Sequence, residues 1–384
     1  MLVAGSLLVP ALGLLESFLI SLLGSIIGSI FLALAGLIGS DYGVPTMVSL
    51  RPILGRAGSY LPTILNVIQL VGWTGFELMI MGAAASNISG PILGEYTKPF
   101  WIIVFAIWCT ALALGGPLMV VRQWLEKVAI WLVYFSTAWI TFQAFSRPNV
   151  SAILFKPGDG SLPIPLALDL VIAMPISWWP LISDYNRFAS SDRGGFLGTL
   201  LGYTVSNTWF YFLGAALVVI MGITDVVSSI ATLLFGTLAL LLILVDETDN
   251  CFADIYSTAV SVQNVAPRVK QWKTIIAVAA IGVILALTVP LAEYEQFLLM
   301  IGGLFVPLLG VVVSEYAIRE SRGGFDVSEF YEGAPRIRCS TLIAWMAGAA
   351  MYFSIASFFP EIGASMPAFA LSALLNTSAR ILKK

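Results

Sequence analysis

The chain contains no histidine among its 384 residues, and only three cysteines. Without histidine there is no imidazole metal ligand, no Ser-His-Asp triad and no imidazole proton relay. Any proton chemistry must run through carboxylates. Cys109, Cys251 and Cys339 stand singly, with no CxxC pair, so neither a disulfide framework nor a zinc site is expected. Charge is also scarce. Charged residues make up 11% of the chain and hydrophobic residues 59%, with a mean hydropathy of +0.93. A soluble domain carries roughly 25% charged residues. The remaining apolar surface has to face lipid, so the chain reads as an all-α protein of the cell membrane that crosses it many times. An enzyme embedded in that membrane would need a nucleophile or metal set, which these absences remove. A channel would need a continuous polar lining, and most of the apolar runs are apolar all round. The partners this implies are the bilayer and a small solute rather than nucleic acid. No oligomeric state follows.

A bilayer span needs about 20 mostly apolar residues. Such runs occur at 14–39, 58–85, 99–119, 125–146, 166–187, 196–221, 230–262, 272–292, 297–317, 339–359 and 363–379. An apolar stub, Met1 to Leu12, precedes them and is read as the second half of a helix that starts upstream, giving eleven full spans and one truncated one. Loop charge tests this count. Alternate loops carry Arg51, Arg56, Arg122, Lys127, Arg187, Arg193, Arg268, Lys270, Lys273, Arg319, Arg322, Arg336, Arg338, Arg380, Lys383 and Lys384 on one side, against Lys98, Arg147 and Lys156 on the other. Sixteen against three is the bias of a cytoplasmic face, and a miscounted span would have scrambled it. The longest loop, 318–338, is cytoplasmic on this count.

Charges within spans are costly, so each marks a candidate site. Asp246-Glu247-Thr248-Asp249-Asn250 sits between apolar runs on both sides. On a helix, Asp246, Asp249 and Asn250 share a face (i, i+3, i+4) and Glu247 points about 100° away. One face of hard oxygens suits Na⁺, a protonatable pair or an amino-bearing solute, with Asp246 within reach of both cation and solute. The alternative, a hydrated turn between two short helices, would invert every later loop and destroy the charge asymmetry. Trp73 and Glu77 lie one turn apart on a shared face. A Trp ring offers a flat surface for stacking and the carboxylate accepts N–H groups, although Trp73 alone fits core or interface packing as well. Met174-Pro175-Ile176-Ser177-Trp178-Trp179-Pro180 lies inside another span. Two prolines remove backbone donors, which suggests a broken helix with free carbonyls near Pro175, Ser177 and Trp178 lining a solute cavity. A proline kink with packing tryptophans is the plainer reading. Asp184 and Arg187 follow at the cytoplasmic end, as a pair that holds a loop or gates. Gly302 and Gly303 suit either a flexing gate or close helix packing.

At these residues the chain resembles the nucleobase–cation symport family, which includes cytosine permeases and hydantoin transporters, and most of all its hydroxymethylpyrimidine transporters. The matching stretches are Gly58-Ser59-Tyr60-Leu61-Pro62, Gln69-Leu70-Val71-Gly72-Trp73-Thr74, Met174-Pro175-Ile176-Ser177-Trp178, Ser183-Asp184-Tyr185-Asn186-Arg187-Phe188, Ile255-Tyr256-Ser257 and Gly302-Gly303-Leu304-Phe305-Val306-Pro307. They run in the family's order along nearly the whole chain. The resemblance implies the leucine-transporter fold: inverted five-helix repeats, here 1–146 (truncated) and 166–317, plus two extra helices at 339–379. It implies symport of a pyrimidine with Na⁺ or H⁺ and no other cofactor. Trp73 would stack on the base, Glu77 would hydrogen-bond it, and Asp246, Asp249 and Asn250 would hold the cation. The sequence departs from the family in three ways. Its second stacking aromatic falls near Pro175, two of its helix 8 positions are aspartates, and Met1 falls inside helix 1. An amino-acid or amine carrier of the same fold, or a truncated inactive relative, is the competing reading.

Overall fold

The computed structural model describes residues 1–116, 127–128, 130–148, 150–223, 225–290 and 293–382. Arg122, Lys383 and Lys384, counted above in the cytoplasmic loops, lie outside the described residues, as does part of the junction between the third and fourth spans.

Every span expected from hydropathy contains a helix among its described residues. They are α2 (Leu14–Tyr42), α5 (Tyr60–Ser89), α6 (Thr97–Gly115), α7 (Ile130–Phe145), α9 (Ile164–Asn186), α10 (Asp192–Met221), α12 (Gly236–Val265), α13 (Gln271–Thr288), α14 (Tyr294–Glu320), α15 (Cys339–Phe358) and α16 (Ser365–Ile381). Short helices join them: α1 (Leu2–Ser6), α3 (Thr46–Ser49), α4 (Arg51–Leu54), α8 (Val150–Leu154) and α11 (Val226–Ala231). Eight of the described helices are long and apolar enough to cross a membrane by themselves. The 30-residue α12 is not among them, because four acids interrupt it. Its stability in a bilayer depends on tertiary partners for those groups.

Burial divides the helices. Between half and four-fifths of the apolar window of α2, α5, α9 and α14 is buried, whereas α6 and α13 bury about a quarter of theirs. Ile107, Trp108, Trp131, Phe135 and Ile284 are among the large apolar side chains turned outward, which only lipid can cover. The inner helices pack in two sets: α9 against α2 and α14, and α5 against α12 and α13. Close approach of α2 to α9 requires glycine at position 28, where an added Cβ would stand 2.5 Å from Pro175 Cγ.

The arginine-rich end is organised by one buried carboxylate. Glu315 is fully buried and accepts from Arg380 Nε (2.8 Å) and Nη2 (2.6 Å) and from Arg319 Nε (3.1 Å). Arg319 and Arg338 both reach Glu329 in the 318–338 loop, at 3.1 and 3.3 Å. The same loop hydrogen-bonds in extended fashion to the turn after α4: Arg56 and Ala57 amides donate to the Pro335 and Arg336 carbonyls, and the Arg338 amide donates to Leu54 O. Arg51 donates to Asn264 Oδ1 (2.7 Å) and Phe330 O (3.1 Å). Burial lowers the proton affinity of Arg51 and Arg338, but guanidinium retains its charge in proteins. The positive loops therefore converge on one end of the bundle, as the loop charge predicts.

Candidate functional site

The site begins with α5. Trp73 and Glu77 project from one face, as their spacing requires, into a shared cleft. Trp73 is held edge-on by Tyr294 and Phe297 of α14, with ring centroids 5.6 and 5.4 Å away. Its indole Nε1 is buried without a partner, and so is Glu77 Oε2. Buried polar atoms are normally paired. Two orphans on one face of one cleft mark a place built for a ligand with both acceptor and donor groups. α9 lines the cleft with Met174, Ser177 and Trp178, α11 with Val226, Val227 and Ile230, and α1 with Met1, Leu2 and Val3.

The acidic helix is rotated relative to expectation. Asp246 does not line the Trp73 cleft. It lines a neighbouring cavity with Asp249, facing Tyr134 of α7 and Ser206 and Phe210 of α10. The cleft instead receives Glu247, Asn250 and Asp254. These are i, i+3 and i+7, a second stripe on the same helix, and Asn250 and Glu247 lie on both cavities. The reason is packing: Cys251, Phe252 and Ile255 are wholly buried and fix the rotation of α12 against α5 and α6. Asp254, 4% exposed, is the site residue that sequence reasoning missed. The i+7 spacing from Glu247 was the available signal. Among the described residues, no group of three or more Asp, Glu, Cys or His side chains is placed to hold a metal ion.

The broken helix is also corrected. α9 runs without interruption from Ile164 to Asn186 with Pro175 and Pro180 inside it. Neighbouring helices donate to its carbonyls. Tyr211 Oη donates to Leu170 O (3.1 Å), Tyr203 Oη to Met174 O (3.2 Å), Gln69 Nε2 to Ser177 O (2.9 Å) and Asn66 Nδ2 to Pro180 O (3.5 Å). These donors brace α9 against its neighbours on either side of the prolines, although Val171 O and Ile176 O, the two carbonyls that lose an i→i−4 donor to Pro175 and Pro180, are not among their acceptors. Pro175 faces Gly28 of α2 rather than the cleft, and the Ser177 hydroxyl donates to Met174 O (2.7 Å). Of the α9 residues singled out in the sequence, Ser177 and Trp178 reach the cleft and Pro175 does not.

Asp184 accepts the Thr46 amide (3.1 Å), capping α3, while the Ser183 amide donates to Thr46 Oγ1 (2.9 Å). Arg187 donates to the Asp184 main-chain carbonyl (3.2 Å) and to Tyr256 Oη (3.5 Å), so the two residues hold a loop without forming an ion pair through their side chains. Gly302 and Gly303 lie against Tyr352 and Phe353 of α15, where added Cβ atoms would approach to 2.6 and 2.5 Å. They are close-packing positions, not part of the cleft.

A family model described as "Permease for cytosine/purines, uracil, thiamine, allantoin" matches residues 1–377. The chain belongs to that family. Among its relatives, the hydantoin permease of Microbacterium maritypicum is 22% identical over 304 residues, which are 73% of this chain and 62% of that protein. The cytosine permease of Escherichia coli (strain K12) is 23% identical over 311 residues, 80% of this chain and 71% of the relative. The chain thus spans less than two thirds of the hydantoin permease. Mhp1, a nucleobase–cation-symport-1 family transporter solved in a closed conformation with bromovinylhydantoin bound, superposes with a TM-score of 0.83 at 18% identity, covering 99% of this chain and 88% of Mhp1. The fold is therefore that of the leucine-transporter class, and the chain is a multi-pass protein of the plasma membrane. Its relatives are permeases, not enzymes.

Proposed function

We propose that the chain imports a pyrimidine-type solute, such as hydroxymethylpyrimidine or cytosine, by alternating access coupled to Na⁺ or H⁺. The observation that carries this reading is the pairing of Trp73 and Glu77 in one cleft, each with a buried polar atom left unpartnered. The indole face stacks on a planar ring. Glu77 accepts an amino or ring N–H, and Ser177 and Trp178 bound the ring on the α9 side. Asp246, Asp249 and Asn250, one wall away, offer oxygen ligands for the driving cation. Coupling follows if cation and solute both favour the same conformation of the cleft; equal affinity for both conformations would couple nothing. Residues 1–146 and 166–317 form the two halves of the repeat on this reading, with 339–379 outside them.

A second reading has its own support. Glu77, Glu247 and Asp254 give the cleft three carboxyls and no Lys or Arg side chain, which suits an amine or amino acid. Competition uptake in proteoliposomes separates the two. Labelled cytosine or hydroxymethylpyrimidine should be displaced by related pyrimidines and not by amino acids or simple amines. Displacement in the opposite pattern would sink the pyrimidine assignment.

A further inference from the structure

Glu77 of α5 and Asp254 of α12 are neighbouring carboxyls on the wall of the cleft, 7% and 4% exposed. Glu77 Oε2 is buried and points at no donor. The other titratable groups around the pair are Glu247 and Cys251, also on α12, Cys109 of α6, Tyr185 of α9, Tyr203 of α10 and Tyr294 of α14. The Met1 amino group of α1 lies nearer to Asp246 and Glu247. No Lys or Arg side chain lines the cleft. Two carboxylates side by side in a poorly solvated place, with no cation between them, cannot both stay ionised. Repulsion and lost hydration are both relieved when one takes up a proton.

We propose that Glu77 and Asp254 hold a single proton between them and bind the solute as a carboxylate–carboxylic acid pair, so that this proton travels with the solute. The proposal rests on the reading of the cleft as a pyrimidine site and names the edge it selects. The ionised member accepts an N–H; the protonated member donates its O–H to a ring nitrogen. An aminopyrimidine edge, with an exocyclic N–H beside an unprotonated ring nitrogen, meets both at once. A doubly ionised pair offers no donor and repels the ring nitrogen's lone pair. Proton balance is simple. The pair takes one proton from water on the outer side before the solute enters. It releases that proton to cytoplasmic water when the cleft opens inward and the solute leaves. Asp254 thereby joins Trp73 and Glu77 as a specificity-determining residue, and H⁺ is a driving ion, whatever cation Asp246 and Asp249 hold beside it.

The test uses the full chain in liposomes in Na⁺-free buffer. Cytosine binding is measured between pH 5 and 9, and a pH dye is trapped inside. For the wild type, affinity should fall by about tenfold per pH unit once the shared proton is lost, and uptake should acidify the lumen. Asp254→Asn and Glu77→Gln each replace the acid with an amide whose N–H is permanent. In either variant, whatever affinity remains should lose its pH dependence, and acidification should stop. A flat wild-type profile, or an Asp254→Asn profile with the wild-type slope, overturns the shared proton while leaving the solute assignment standing. Binding that appears only when Na⁺ is added overturns the proton coupling and leaves the solute assignment standing. Failure of both cytosine and hydroxymethylpyrimidine to bind the wild type at any pH, with and without Na⁺, overturns both.

Discussion

Replacing Trp73 by alanine removes the stacking surface and little else. The indole is only partly buried, and its contacts in the protein are edge-on, to Tyr294 and Phe297. The helix carrying it keeps its packing through Leu70, Thr74 and Leu78, which are fully buried. The folded state should therefore survive. The solute loses a stack worth about 1–3 kcal/mol per ring. At about 1.4 kcal/mol per tenfold, this raises the dissociation constant about 5- to 150-fold. Equilibrium binding of labelled cytosine to purified protein reads this directly, with size-exclusion elution and helical circular dichroism as checks on folding. Trp73→Phe, which keeps a smaller ring, should fall between the two. An alanine variant that is folded and binds within twofold of the wild type would refute the stacking role.

Glu315→Ala leaves Arg319 and Arg380 without their shared buried partner. Breaking a buried pair costs about 3–5 kcal/mol, and the partial exposure of the two arginines (21% and 16%) lowers the expectation to about 2–3 kcal/mol. Thermal unfolding in detergent should show the loss, with Glu315→Gln recovering part of it; an unchanged transition for the alanine variant would contradict the clamp. Gln69→Leu strips the donor from the Ser177 carbonyl and from Asn66 Oδ1, and should destabilise by about 1–3 kcal/mol in the same assay. Asp249→Asn should change the Na⁺ or pH dependence of uptake if Asp249 helps to hold the driving cation; identical dependence would remove it from that role.

The sequence by itself determined the helices and the membrane. Eleven apolar runs are long enough for a bilayer, and each became a helix because an unsatisfied backbone in lipid costs more than any local propensity can return. The loop arginines likewise come together at one end. Local spacing was also enough for Trp73 and Glu77, because residues four apart on a helix share a face whatever surrounds it. Tertiary structure decided everything that depends on how a helix is turned about its axis. α12 has acids on two stripes, so its sequence is compatible with either facing α5; the burial of Cys251, Phe252 and Ile255 chose the stripe of Glu247, Asn250 and Asp254. α9 carries two prolines that local rules read as a break, yet it runs whole from Ile164 to Asn186, packed against α2 and α14 and hydrogen-bonded by Tyr203 and Tyr211 of α10 and by Gln69 and Asn66 of α5. Periodicity fixes which residues share a face. Which face meets the solute is set by the summed packing of neighbours that no local window contains.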